Sequence, residues 1–303
     1  MNRYKRILAG LNLEETDPAV IRYAGLITRM ANSEALICMH AAPTLEIPES
    51  VEQEYPELIT PLSEFAEKKM GETVDQHLAA HPGTEIQCLA LEGKTLLTLL
   101  RQIKDQDIDL VLVGKRDDDG GDGTLARRLA RKASCSVLEV PQSAPAKISK
   151  ILVPIDFSEY SADALDVAVA FASASGLKEI FCLHVYRVPL GYYKTGKNYE
   201  QFSDIMKKNA EQEYRQFIKK VDLKNLNVRM QFILEKEPET AIDQTVEQYG
   251  ADLIVLGSRG RSASAAVLLG SVTENLLKRT RIPLLAVKKK GTGLNFLNAL
   301  LGG

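Results

Sequence analysis

The chain has 303 residues, of which 45% are hydrophobic and 26% charged, with no Trp. This length suggests two domains of ordinary size, and the composition excludes a disordered chain or a disulfide scaffold. The formal net charge of −2 and a pI near 6.2 exclude the electrostatic footprint of a nucleic-acid-binding protein, and no apolar run is long enough to cross a bilayer.

The first strand-like run begins the chain, and its apolar core is too short for a signal peptide. Only Ile7–Asn12 separates the basic start from Glu14 and Glu15, whereas a secretory signal needs a longer apolar region. The four cysteines lie far apart in sequence without a Cys-x-x-Cys pair, which indicates reduced, buried thiols. We therefore expect a cytoplasmic protein with no membrane or nucleic-acid partner.

The strand-like runs of the first half recur about 145 residues later, so the chain contains an internal repeat. The matched segments are Tyr4–Asn12 with Ile148–Asp156, Ile37–His40 with Phe181–His184, Ile108–Gly114 with Ala251–Gly257, and Val137–Val140 with Leu284–Val287. A proline-bearing stretch between the copies is typical of a linker. The predicted organisation is a domain over 1–141, a linker over 142–147, a domain over 148–290 and a C-terminal tail over 291–303.

Within the second copy, short β-branched runs alternate with amphipathic stretches, the pattern of βαβ units around a parallel sheet. The predicted strands are 150–155, 180–185, 227–234, 253–256 and 284–287, and the predicted helices are 161–174, 199–221, 240–248 and 271–279. Ser161 and Asp163 suit the cap of the first helix. The fold class is therefore α/β, with two tandem doubly wound domains whose five-stranded sheets are mainly parallel.

Glycines after the fourth strand of the second copy indicate a phosphate site. Gly257-Ser258-Arg259-Gly260 is followed, nine residues later, by Gly270-Ser271 at the start of the last helix. Glycines permit sharp turns and a close approach of ligand to backbone. A helix N-terminus adds amides without partners and a favourable dipole for phosphate.

This G-x-x-G, nine residues, G-S spacing resembles the ATP-binding signature of universal stress proteins. The resemblance extends to the segments ILVPIDFSEYSADAL, LHV and DLIVLGSRGRS, and it covers both copies. It implies a Rossmann-like domain of the adenine nucleotide alpha hydrolase type. In such a doubly wound sheet, ligands bind at the carboxyl ends of the strands, where the strand order reverses.

The resemblance also implies a role for each residue of an ATP site in the second copy. Asp156 would recognise adenosine beside the backbone of Pro154 and Ile155; Val185 would meet adenine through its main chain; Leu256, Gly257 and Gly260 would line the ribose and first phosphate; Arg259 would line the phosphate edge; and Gly270, Ser271 and Val272 would hold the polyphosphate. The ligand would be ATP, or AMP or ADP, with Mg²⁺ held by the phosphates.

The first copy departs from this pattern. Asn12 stands where the second copy has Asp156, and Gly114 and Gly123 are closer together than Gly257 and Gly270. The intervening loop carries four aspartates, which would repel polyphosphate. We therefore predict a degenerate first domain that does not bind nucleotide.

Other readings of single motifs are weaker. Gly121–Ala126 fits a G-x-G-x-x-A dinucleotide fingerprint but does not directly follow a strand. His77 and His81 have the spacing of two metal ligands on one helical face, but no third ligand is evident nearby. Helix-end interaction or solvent exposure explains them better, so no metal site is predicted.

The predicted function is nucleotide-dependent regulation in the stress response. The alternatives are a slow ATPase or self-phosphorylating enzyme, and an ATP-independent interaction scaffold; no catalytic residue is predicted. Universal stress proteins commonly dimerise through the edge strand, and the fifth strands of both copies are short and apolar. The resemblance therefore implies an intramolecular pseudo-dimer, with further homodimerisation as an additional possibility.

Overall fold

The computed structural model of the protein describes residues 3–42, 62–117, 124–261 and 269–289. The chain divides into two compact units, one built mainly from Met1–Lys147 and the other from Ile148–Lys288. We call them the N-terminal and C-terminal domains. The predicted tail over 291–303 lies outside the described residues.

The N-terminal domain alternates strands and helices, and its five strands pair in parallel in the order β3-β2-β1-β4-β5. Its elements are β1 (Arg6–Leu11), α1 (Asp17–Ala31), β2 (Ala35–Ala42), α2 (Leu62–His77), β3 (Glu85–Glu92), α3 (Thr95–Asp105), β4 (Leu110–Lys115), α4 (Thr124–Lys132) and β5 (Ser136–Pro141).

The C-terminal domain repeats this architecture with the parallel order β10-β9-β6-β7-β8. Its elements are β6 (Ile151–Pro154), α5 (Glu159–Ala174), β7 (Glu179–Tyr186), α6 (Tyr199–Phe217), β8 (Asn227–Leu234), α7 (Pro238–Tyr249), β9 (Leu253–Gly257), α8 (Ser271–Arg279) and β10 (Leu284–Val287). Two short 3-10 helices, Tyr192–Thr195 and Ile218–Lys220, flank α6.

The tandem α/β fold with parallel sheets is confirmed, but two predicted helix starts are two residues late, those of α5 and of α7, which begins at Pro238. Helix α5 begins at Glu159, and its N-cap is Ser158, whose Oγ accepts a hydrogen bond from the Ser161 amide at 3.2 Å. Ser161 and Asp163 lie inside the helix instead. The hydroxyl of Ser161 contacts Asp156, so it is committed to the end of the preceding strand and does not cap the helix.

Helix α6 is also shorter than predicted, because the α-helix ends at Phe217 and its last turn is a 3-10 helix. Its first turn is closed by a capping box in which Asn198 accepts from the Gln201 amide and the Gln201 side chain accepts from the Asn198 amide. Such reciprocal bonds satisfy two otherwise unpaired helix donors.

Strand β6 lies at the centre of its sheet, and its residues Ile151, Leu152 and Val153 are fully buried. Burying an aliphatic side chain of this size stabilises a fold by roughly 1.5–3 kcal/mol. The neighbours of β6 are β7 on one side and β9 on the other. Because the chain leaves β6 and β9 in opposite directions along the sheet, their carboxyl ends form the crevice in which ligands of doubly wound folds bind.

Candidate functional site

The eleven residues predicted from the sequence all line one cavity of about 460 Å³ in the C-terminal domain. This volume lies in the range of small-molecule pockets, about 300–1,000 Å³. The cavity opens at the carboxyl ends of β6, β7 and β9 and at the start of α8. The residues are Pro154, Ile155, Asp156, Val185, Leu256, Gly257, Arg259, Gly260, Gly270, Ser271 and Val272.

Asp156 organises the floor of this cavity. Its Oδ1 accepts hydrogen bonds from the Ser158 amide at 3.0 Å and from the hydroxyls of Ser158 and Ser161. Its Oδ2 accepts from the Arg261 amide at 2.8 Å. The carboxylate therefore joins the turn after β6 to the glycine loop after β9, a structural role that sequence reasoning did not assign to it.

These hydrogen bonds decide the ionisation of Asp156. Burial by itself raises the pKa of the carboxyl group, but the hydroxyls of Ser158 and Ser161 and the amides of Ser158 and Arg261 oppose it. Donors that bond the charged form stabilise it. The net result is a pKa below the ordinary value of 3.8, so Asp156 is an anion held in a fixed orientation at neutral pH.

The glycines of the loop make room for the protein's own atoms. A Cβ on Gly260 would lie 2.7 Å from Asp156 Oδ2, and a Cβ on Gly257 would lie 2.8 Å from the carbonyl oxygen of Tyr160. By contrast, a Cβ on Gly270 would find its nearest neighbours at 3.5 Å or beyond, and the residue has an ordinary φ of −63°. The first two glycines are therefore required by packing within the domain, whereas the packing of described residues does not require Gly270.

The N-terminus of α8 faces the cavity and presents backbone donors. The first intrahelical bond is donated by the Glu274 amide to Gly270, so the amides of Ser271, Val272 and Thr273 have no intrahelical acceptor. The Thr273 hydroxyl donates to the Gly257 carbonyl at 2.8 Å. The Gly270 amide donates to Ser258. These two bonds fix the helix end against the loop after β9.

An aromatic wall stands beside Asp156. The rings of Phe157 and His184 are stacked with their centroids 4.2 Å apart. Phe157 has a left-handed backbone with φ of 66°, which is uncommon for a non-glycine residue. The recurrence of His40 as His184 is the one sequence feature that pointed to this wall.

His184 is held by the strand next to it. Its Nδ1 lies 2.9 Å from the Ile155 carbonyl oxygen, so Nδ1 carries a proton and donates it there. Burial lowers the pKa of His184 below 6.5, with the nearby Arg261 cation acting in the same direction. The neutral ring that results offers Nε2 as an acceptor.

Two arginines form a cationic rim on the cavity. Arg261 pairs with Glu213 of α6, and its guanidinium lies 5.5 Å from the centroid of the Phe157 ring. Arg259 lies 5.7 Å from the centroid of the Tyr160 ring. Both arginines line the same cavity as the α8 N-terminus, so positive charge and backbone donors face one ligand space.

The corresponding turn of the N-terminal domain is built differently. Asn12 replaces the aspartate, and the carboxylate comes from Asp17, which accepts from the amides of Asn12 and Leu13 at 3.0 and 2.8 Å. Burial raises the pKa of Asp17 above 3.8. His40 Nδ1 still contacts the carbonyl oxygen of Leu11 at 3.0 Å. The histidine contact is thus shared by the two domains, but the carboxylate of the N-terminal turn is buried and bonds only the turn's own amides among the contacts described.

Several other sequence-based readings fall partly outside the described residues. These include most of the acidic loop, 118–123, the start of the dinucleotide-like motif and the segment 262–268. Within the part of the chain that is described, no three His, Cys, Asp or Glu residues cluster as metal ligands. Among those same residues, no helix has the length and hydropathy of a membrane span.

Comparisons with known proteins agree on one family. The sequence model of the universal stress protein family matches residues 3–141 and 147–288. The universal stress protein MJ0577 of Methanocaldococcus jannaschii is 31% identical over 157 residues, which is 47% of this chain and 96% of that protein. The universal stress protein YxiE of Bacillus subtilis is 35% identical over 155 residues, 46% of this chain and 99% of that protein.

A solved structure reproduces the tandem architecture. A universal stress protein from Archaeoglobus fulgidus superposes with a TM-score of 0.61 and 18% identity, covering 94% of this chain and 98% of its own. At that identity the likeness shows the fold alone.

Proposed function

Because the chain belongs to the universal stress protein family, we propose that its C-terminal domain binds ATP, or the related AMP or ADP, and acts as a nucleotide-dependent regulatory module in the stress response. The observation that carries this proposal is the convergence of all eleven expected residues on one cavity. A cytoplasmic location and the intramolecular pseudo-dimer stay predictions.

The chemistry of the cavity supports a ligand with an apolar ring at one end and phosphates at the other. Ile155, Val185 and the His184 ring offer a flat, mostly apolar surface near Asp156. The α8 amides and Arg259 line the same cavity, and Arg261 lies next to Asp156, to which its amide donates. Helix N-termini and guanidinium groups are both favourable partners of phosphate.

The two carboxylates that line the cavity, Asp156 and Glu213, already have hydrogen-bond or ion-pair partners in the domain, which limits how they could bind Mg²⁺. Asp156 accepts from Ser158, Ser161 and Arg261, and Glu213 pairs with Arg261 and accepts from Asn209 at 3.0 Å. A magnesium ion that enters with the nucleotide would therefore be held chiefly by the phosphates. Mg²⁺ dehydrates reluctantly and commonly binds through substrate phosphates.

The same engagement favours binding over turnover. A general base must reach the attacking water with an acceptor of suitable pKa. The pKa of Asp156 is lowered and both of its oxygens already accept hydrogen bonds from the domain itself. We therefore place nucleotide binding ahead of the ATPase and self-phosphorylating alternatives.

The proposal is tested by identifying the ligand released from protein purified without heating. Mass spectrometry of the denatured sample should find an adenine nucleotide, and the Asp156→Ala variant purified in parallel should release much less. Asn12→Ala is the matched control and should release as much as the wild type. Absence of any nucleotide, followed by failure to bind added ATP, would overturn the proposal.

A further inference from the structure

Two cysteines of the N-terminal domain are neighbours across strands. Cys38 of β2 and Cys88 of β3 are directly registered partners in a parallel pair, so their side chains project from the same face of the sheet. Neighbouring strands lie about 4.8 Å apart, and disulfides span Cα separations of about 4.4–6.8 Å. The pairing is invisible in the sequence, where the residues stand far apart.

The two thiols differ in exposure but contact each other. Cys38 is fully buried, whereas Cys88 is half-buried on a strand at the end of the strand order. Their registration brings the two thiols together, and the Cys38 thiol, acting as a donor, favours the thiolate form of Cys88. The expectation of four buried cysteines is therefore wrong for Cys88.

The charged surroundings of the pair are defined by the helices that pack on it. Helix α2 lies over β2 and β3, and its Glu67 and Asp75 face Cys88, while Asp17 of α1 faces Cys38. These carboxylates oppose the thiolate. The neighbouring Cys38 thiol outweighs them as a donor to the thiolate, and the pKa of Cys88 is lowered to about 7. The more exposed thiol is thus the more acidic one, as in redox-active cysteine pairs.

We propose that Cys38 and Cys88 form a dithiol–disulfide site that reduces hydroperoxides and is returned to the dithiol by an external thiol, with Cys88 as the attacking thiol and Cys38 as the resolving thiol. The Cys88 sulfur attacks the peroxide, an S–O bond forms, the O–O bond breaks, and an alcohol or water leaves after protonation by solvent. Cys38 then attacks the sulfenic sulfur, forming the S–S bond and releasing water. Two thiols lose two electrons and the hydroperoxide gains them.

The C-terminal domain supplies an internal control. Cys182 is the repeat equivalent of Cys38, but its registered partner in β8 is Met230. Burial raises the pKa of Cys182 to about 12. The same strand position thus carries a second thiol in one domain only, so Cys182 should remain reduced under conditions that oxidise the pair.

The test treats the reduced full-length protein with one equivalent of hydrogen peroxide and maps disulfides by mass spectrometry of non-reduced peptides. We expect a Cys38–Cys88 disulfide, loss of two of the four thiols and recovery of both on addition of dithiothreitol. An unchanged thiol count, or oxidation of Cys135 or Cys182 before the pair, would overturn the proposal.

Variants separate the two roles. Cys38→Ser should leave a sulfenic acid on Cys88 that dimedone traps, whereas Cys88→Ser should abolish both the disulfide and the fast peroxide consumption. Cys182→Ser should behave as the wild type. A sulfenic acid on Cys38 that dimedone traps in the Cys88→Ser variant, with none on Cys88 in Cys38→Ser, would contradict the assignment. If a serine variant does not fold, the wild-type peptide map and the pH dependence of Cys88 alkylation, with a midpoint expected near its pKa of about 7, still decide the question.

Discussion

In both domains a carboxylate stabilises the turn after the first strand, but in one it follows the turn and in the other it begins it. In the N-terminal domain Asp17, at the start of α1, holds the amides of Asn12 and Leu13. In the C-terminal domain Asp156, at the end of the strand, holds the glycine loop through the Arg261 amide. The acid that stabilises the turn therefore connects to the cleft in one domain and stays internal in the other.

What remains constant shows which features belong to the fold. Leu13 and Phe157 both adopt left-handed φ values, of 63° and 66°. His40 contacts the carbonyl oxygen of Leu11, the last residue of β1, and His184 contacts that of Ile155, the residue after β6. These positions persist without the nucleotide signature, so they are requirements of the turn, and the location of the carboxylate is the difference that bears on function.

Substitution of the strand-end residue should give the largest contrast between the domains. Asp156→Ala removes the carboxylate that the family resemblance assigns to adenosine, besides an acceptor of four hydrogen bonds within the domain. Losing one hydrogen bond to a ligand costs about 1–3 kcal/mol, or roughly 5- to 150-fold in affinity. Asn12→Ala should change ATP affinity little. Isothermal titration calorimetry measures both, and equal losses in the two variants would remove the asymmetry.

Alanine in place of the glycine in β4 and in β9 should distinguish an effect on stability from an effect on ATP binding. A Cβ on Gly257 would lie 2.8 Å from the Tyr160 carbonyl oxygen, and a Cβ on Gly114 would lie 2.6 Å from Thr16. Overpacking of this kind costs about 1–3 kcal/mol. Both alanine variants should lower stability in chemical denaturation, but only Gly257→Ala should weaken ATP binding. Weakened binding in Gly114→Ala would argue for a nucleotide in the N-terminal domain.

The elements of the fold could be predicted because their signals are local. The apolar β-branched runs around Ile151 and Leu253 specify buried strands, and the repeat doubles the evidence. The helix cap at Ser158 was missed because Ser161 has the same local preference, and only the position of Asp156 in space commits Ser161 to another bond. Boundaries that depend on such tertiary contacts are not encoded in a short window.

The residues of the site could be predicted as a set, but their mutual roles could not. Gly260 is needed because a Cβ there would meet the Asp156 carboxylate, a contact between residues more than one hundred positions apart. The stack of Phe157 on His184 and the registration of Cys38 with Cys88 are likewise products of the sheet. Sequence spacing predicted a phosphate-binding role for the glycines, which stays a prediction, and missed the packing function of Gly257 and Gly260.

Acid should destabilise the C-terminal domain through His184. The pKa of this histidine is lowered in the folded state, so the unfolded chain binds its proton first as the pH falls. The corresponding stability is fully present above pH 6.5 and is lost as the pH falls below that value. Thermal unfolding of His184→Gln should show a smaller loss over this window than the wild type. Parallel pH profiles for the two proteins would contradict the assignment.

The smallest effect is expected at the exposed ion pairs. Glu213→Gln breaks a pair with Arg261 that is partly solvent-exposed, and such pairs contribute only about 0–1 kcal/mol to stability. It also removes a negative charge from the cavity, so ATP affinity should rise slightly, by less than about threefold at low salt. Glu14→Gln, which breaks the exposed pair with Arg116 in the other domain, is the matched control and should leave the affinity unchanged.

The number of ATP molecules bound by one chain tests the central claim most directly. Nucleotide-free full-length protein titrated with ATP and observed by native mass spectrometry should bind one molecule per chain at saturation. The bound species should disappear in Asp156→Ala and persist in Asn12→Ala. Two molecules per chain, or one molecule that persists in Asp156→Ala and is lost in Asn12→Ala, would contradict the account.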